Sequence, residues 1–137
     1  MKSVLSAAAA LLLTVPFTSG VLAQDQLAGR WLCQHANQTV SNNAFENWIY
    51  EFALQLQSDG SFQAQGNYNA QTNGFAVPFM AQGQWGRQQG IVVVRGVEQQ
   101  QGMGSRNFFL MFSNVSERVL SNQYQSANGK LLSHCER

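Results

Sequence analysis

The chain has 137 residues, of which 8 are Lys or Arg and 7 are Asp or Glu, for a formal charge of +1. No stretch gathers the cations that a phosphate backbone demands, so nucleic-acid binding has no electrostatic support. Charged residues are only 11% of the chain, which leaves a surface of Gln, Asn and Ser that hydrates without long-range steering and argues against a charge-driven partner.

Lys2 is followed by an apolar run over residues 4–15, a breaker at Pro16, and small residues ending in Val21, Leu22 and Ala23. This is the order of a bacterial-type signal peptide cleaved after Ala23, and about a dozen apolar residues are too few to cross roughly 30 Å of hydrocarbon as an anchor. The reading is of residues 1–23 as signal peptide and 24–137 as one domain with one core, without a membrane span, delivered to the periplasm or secreted.

Residues 29–36 read as a first strand, and residues 37–46 as a long connection with room for a helical turn or a lid. Trp48, Tyr50, Phe52, Leu54 and Leu56 then alternate with mostly polar neighbours, which predicts a half-buried strand with an aromatic face. Ser58, Asp59 and Gly60 supply a hairpin turn. The partner strand carries Phe62, Ala64, Gly66 and Tyr68, and Asn73-Gly74 marks the next reversal.

Phe75, Val77, Phe79, Ala81, Gly83 and Trp85 form the buried face of a fourth strand, in which Pro78, having no N–H, predicts a bulge or an unpaired stretch. Gln89-Gly90 turns into residues 91–97, a β-branched run apolar on both faces. Residues 98–105, rich in Gln and Gly, lack periodicity and read as a long flexible loop. Phe108, Leu110 and Phe112 mark a sixth strand with Phe109 and Met111 on its other face. A weaker seventh ends at Tyr124, and an eighth follows Asn128-Gly129.

Eight short strands joined mostly by hairpins suit a sandwich or an up-and-down barrel. Cys33 and Cys135 help to choose between them. In an exported protein such a pair is read as a disulfide, here closing a loop of about 100 residues, for which chain entropy gives about 4.7 kcal/mol. Closure of a meander makes its first and last strands antiparallel neighbours. The expected fold is therefore an all-β, eight-stranded antiparallel up-and-down β-barrel closed by a disulfide between first and last strands. Pairing Cys33 with Cys135 sets Trp31 opposite Arg137 and His35 opposite Ser133 on one face. An arginine over an indole, worth about 0.5–2 kcal/mol, then closes one end of the barrel.

The opening Leu27-Ala28-Gly29-Arg30-Trp31 resembles the Gly-X-Trp signature of lipocalins and their calycin relatives, including small bacterial lipocalin-like proteins. The resemblance implies that Trp31 closes the base of the barrel beneath a basic residue from the last strand, a role that falls to Arg137. The plan of a signal peptide followed by a small barrel beginning Ala-Gly-X-Trp is also similar to bacterial periplasmic inhibitors of secreted metalloproteases. Those act through a tail ahead of the barrel, a point at which this chain departs from them, since after the expected cleavage only Gln24-Asp25-Gln26 precede Leu27.

His35 and Ser133 are a base and a hydroxyl, but no Asp or Glu is placed to orient the imidazole and no oxyanion loop is adjacent, so no catalytic residue is assigned and the protein reads as no enzyme. His134 alternates away from Cys135, and a disulfide consumes both thiolates, which disposes of Cys33, His35, His134 and Cys135 as a metal set. No cofactor is implied. Glu46, Glu51 and Asp59 read as solvated, and Gly-Met-Gly at 102–104 lacks the strand-to-helix setting of a phosphate loop.

The candidate ligand-binding residues are the aromatic set Trp48, Tyr50, Phe52, Phe62, Tyr68, Phe79, Trp85, Phe108, Phe112 and Tyr124. Pointing inward, they either line a pocket for a small apolar ligand, with Ala64, Gly66, Ala81 and Gly83 leaving space, or fill the barrel outright. The first case makes the protein a non-enzymatic lipocalin-like binding module. The alternative is an envelope protein acting on a macromolecular partner, such as a periplasmic protease inhibitor, through apolar surface left by the two-sided strands at 91–97 and 108–112.

Overall fold

The computed structural model describes residues 24–39, 47–70, 74–127 and 129–137. The expected signal peptide, Glu46 with most of its connection, Asn73 and Asn128 lie outside the described residues. A single helical turn, α1 (Gln24–Leu27), leads into β1 (Gly29–Thr39), β2 (Trp48–Leu56), β3 (Ser61–Ala70), β4 (Val77–Gln88), β5 (Ile91–Gln100), β6 (Gly104–Phe112), β7 (Asn114–Val115), β8 (Val119–Ser126) and β9 (Gly129–Glu136). All nine strands join one antiparallel sheet in the order β6-β5-β4-β3-β2-β1-β9-β8-β7.

First and last strands do lie side by side. Cys33 is opposite Cys135 and His35 opposite Ser133, and the disulfide joins strands whose Cα atoms are 4.0 Å apart at that point. Closure, however, is incomplete, and the strands number nine, not eight. The chain bends at Ser113, and only the two-residue β7 pairs with β8, through Leu120 and Ser121. Among the described residues β6 makes no ladder with β8; the edges meet where Ser113 Oγ donates to Asn122 Oδ1 at 2.8 Å. The result is a half-barrel. Its open side has a sequence cause, because beyond Leu120 the β8 strand offers no buried apolar residue for β6 to pack against.

Alternation decides which side chains meet inside. At the base, Leu27, Trp31, Leu56, Val92, Phe112 and Leu120 are fully buried. Arg137 lies over the Trp31 ring at 4.2 Å and donates to the backbone carbonyls of Gln26, Ala28 and Glu117, which fixes the guanidinium against the indole. The indole N–H of Trp31 donates to Leu27 O at 2.9 Å. Gly60 adopts a φ of 93° that L side chains rarely take, which turns β2 into β3, and the Trp85 indole donates to Gln57 O at 2.8 Å beside that turn.

Several sequence expectations fail here for identifiable reasons. Phe75 precedes β4 and is 66% exposed, so the buried face of that strand begins at Val77. The β3–β4 register runs unbroken through Pro78, which sits opposite Asn67. As the second residue of β4, its missing N–H removes no ladder bond from the strand interior, so no bulge forms. The expected long loop at 98–105 shrinks to residues 101–103, because β5 continues to Gln100 and β6 begins at Gly104.

The glycines on the inner faces, Gly66 and Gly83, do not leave space either; a Cβ on Gly83 would lie 2.3 Å from Arg95 O. A Cβ on Gly66 would lie 2.1 Å from Glu51 O and 2.6 Å from Phe52 Cβ, so β2 and its aromatic residue occupy the room that the missing side chain frees. Gly66→Ala is accordingly expected to cost about 1–3 kcal/mol, as overpacking does, and a urea midpoint equal to that of the unsubstituted protein would contradict this close approach.

Candidate functional site

Through the middle of the half-barrel the aromatic side chains touch one another. Phe52 meets Phe79 and Phe108 edge-on at 5.7 and 5.9 Å between centroids, and Phe62 stacks on Phe108 at 5.7 Å. With Trp85 and Phe112 buried as well, these residues fill the interior at that level as core. The other end differs. There His35, Trp48, Tyr50, Tyr68, Glu98, Arg106 and Phe108 line an open cleft of about 300 Å³, with Asn107 and Phe109 at its rim.

Of the ten aromatic candidates, Trp48, Tyr50, Tyr68 and Phe108 thus belong to the cleft, while Phe52, Phe62, Phe79, Trp85 and Phe112 lie in the packed interior. Tyr124 is in neither group. It is 64% exposed, because it lies on the upper half of β8, where among the described residues no strand pairs on the side away from β9.

Two polar groups at this end, Glu98 and Gln100, lie in the stretch whose composition reads as a loop. Glu98 is only 3% exposed and sits on the inner face of β5, directly opposite Arg106 on β6. Tyr50 Oη donates toward the carboxylate, 2.8 Å from Oε1 and 3.1 Å from Oε2. Gln100 Nε2 donates to Glu98 Oε2 at 3.0 Å and to Tyr50 Oη at 3.2 Å. These two bonds fix the orientation of the Gln100 amide, since the reversed amide would set oxygen against carboxylate. Arg106 Nη2 donates to Tyr50 Oη at 3.1 Å, its Nε lies 3.5 Å from Glu98 Oε1, and its Cζ sits 5.1 Å from the Tyr68 ring centroid.

Electrostatics follow from burial. Desolvation, reinforced by the bond and charge of Glu98, raises the Tyr50 phenol well above its usual range, so it stays a donor. Burial opposes the charge on Arg106, but the fields of Tyr50 and Glu98 offset it and leave the guanidinium pKa raised. A buried carboxylate without such partners would cost several kcal/mol; here every oxygen has a donor.

On the opposite wall His35 Nδ1 lies 2.7 Å from Ser133 Oγ, and its ring packs on Trp48 and Tyr50 at 5.1 and 6.0 Å. Desolvation lowers its pKa to about 4, against a smaller opposing effect from a bond to the Leu132 backbone. Such an imidazole is neutral and weakly basic near pH 7, which leaves little driving force for activating the Ser133 hydroxyl. Among the described residues no three His, Cys, Asp or Glu side chains come together as a metal set, and no helix is long and apolar enough to cross a membrane.

What signalled this cluster was the period of two. Val92, Val94, Gly96, Glu98 and Gln100 continue a single inward face, and the unlike charges of Glu98 and Arg106 stand at one register position. No family model and no curated protein matches the chain.

Proposed function

We propose that this chain is a non-enzymatic, lipocalin-like binding module, exported after removal of residues 1–23 to the periplasm or beyond the cell, that takes a small ligand of mainly apolar body at the open end of its half-barrel. The buried Cys33–Cys135 bridge supports an oxidising compartment. The observation that carries the reading is the division of the interior. One end is sealed by Leu27, Trp31 and Arg137, whereas the other keeps a cleft of about 300 Å³ with aromatic walls and a few fixed polar groups, the composition of a small-molecule site. The Gly29-X-Trp31 opening and the position of Arg137 agree with the lipocalin-like build.

Titration with a neutral apolar fluorophore such as N-phenyl-1-naphthylamine tests the reading. Saturable binding is expected, weakened about tenfold or more in Trp48→Ala and in Tyr68→Ala. Absence of binding, or affinity unchanged in both variants, would remove the cleft as the site.

A second reading, of a protein that acts on a macromolecular partner as the periplasmic metalloprotease inhibitors do, draws on the outer face of the sheet, which shares Phe109 with the rim of the cleft. Met80, Val97 and Phe109 are exposed on the outer side of β4, β5 and β6 and form a diagonal apolar stripe across three paired strands. Crosslinked pull-down from envelope extract, lost on Val97→Asp, is the result this reading expects; a partner captured equally by that variant would count against the stripe.

A further inference from the structure

Building on the proposed ligand-binding role of the cleft, we propose that its ligand carries a carboxylate on a flat apolar body, and that Arg106 is the residue that reads that anionic end. The argument starts from how the Glu98–Arg106 pair is placed. The pair is neutral in sum but strongly polarised in space: the Glu98 side chain is 4% exposed and that of Arg106 49% exposed. A ligand entering from solvent therefore meets the positive end first.

The buried negative end is already committed. Glu98 Oε1 has Tyr50 and Arg106, and Oε2 has Tyr50 and Gln100. A cation would have to displace these donors to reach Glu98, and only the neutral Gln100 Oε1 is left unbonded to receive it, whereas an anion meets the exposed face of the guanidinium directly. The aromatic residues around the cleft would otherwise suit a cation, but Arg106 itself stacks on Tyr68 and occupies that role.

Fixation of the guanidinium favours recognition over mere attraction. Contacts to Tyr50, Glu98 and the Tyr68 face hold it from three sides, so little side-chain freedom remains to be lost when a planar, bidentate acceptor arrives. Tyr50, Glu98 and Gln100 are in this arrangement positioning residues that act through Arg106. Beside it Trp48, Tyr68 and Phe108 offer flat apolar surface for the ligand body.

Three probes of one shape separate the possibilities: 1-naphthoate, its neutral amide, and 1-naphthylmethylamine, each titrated against the full chain after export. The carboxylate is expected to bind about tenfold or more tightly than the amide, as hydrogen bonds to charged groups allow. Arg106→Gln should erase that preference, so that carboxylate and amide bind alike, and Arg106→Lys should restore only part of it. Where Arg106→Gln is unstable because Glu98 is left unpaired, Glu98→Gln/Arg106→Gln removes both charges and carries the same expectation. Equal binding of carboxylate and amide, preference for the amine, or a carboxylate preference that survives loss of Arg106 would overturn the inference and leave the ligand-binding role standing. Failure of all three probes to bind would overturn both.

Discussion

Removing the Cys33–Cys135 bridge is expected to lower stability by about 2–5 kcal/mol, with an upper figure near 4.7 kcal/mol from the chain entropy of a loop of about 100 residues. The architecture makes this bond more consequential than its entropy alone. Because the half-barrel is open between β6 and β8, the unit of β9, β8 and β7 is tied to the rest of the sheet by ladders only through β1 among the described residues. The disulfide sits within that single β1–β9 ladder, buried on both sides. The variant Cys33→Ala/Cys135→Ala avoids stranding a thiol or hydroxyl in the core. Its urea midpoint should fall well below that of the oxidised protein, and amide protons of β8 and β9 should exchange before those of β3 to β5. An unchanged midpoint in the variant, or uniform loss of protection across the sheet, would show that the open edge is not the weak side.

The same architecture shows what the sequence could and could not convey. The inner faces of β2 and β3, the hairpin at Gly60 and the β1–β9 register were legible, because alternation and a covalent pair each report on one or two strands at a time. The opening between β6 and β8 was not, since it depends on how much curl accumulates around nine strands, a property that no short window carries. The cleft was only half legible. Trp48, Tyr50 and Tyr68 follow from the aromatic alternation, but Glu98 and Gln100 read as loop, because polar residues on an inner face imitate one. They are inside because Tyr50, Gln100 and Arg106 satisfy the carboxylate, and those partners come from three different strands. Tyr124 failed the other way. Its parity is inward, but among the described residues no strand pairs with its part of β8 on the side away from β9.

His35 leads to the last large effect, a loss of stability in acid that belongs to one residue. In the unfolded chain its imidazole titrates near 6.5, while burial against Trp48 and Tyr50 lowers it to about 4 in the folded protein. Between those values the unfolded state binds the proton more strongly than the folded state, so stability must fall as the pH falls. The contribution is complete above about pH 6.5 and lost progressively toward pH 4, and the shift amounts to about 3 kcal/mol at 1.36 kcal/mol per pH unit. His35→Gln keeps a partner for Ser133 but cannot titrate. The carboxylates protonate in both proteins and cancel in the comparison, so the difference in unfolding free energy between them should change by about 3 kcal/mol from pH 7 to pH 4, with the unsubstituted protein losing more. Parallel profiles would mean that His35 takes up its proton in the folded state as readily as in the unfolded one, against the desolvation that its burial beside Trp48 and Tyr50 imposes. Because His35 forms one wall of the cleft, acid should also release a bound ligand before global unfolding. The imidazolium needs hydration, and the cleft that His35 lines together with Trp48 is open to solvent, so water and a ligand compete for the same space.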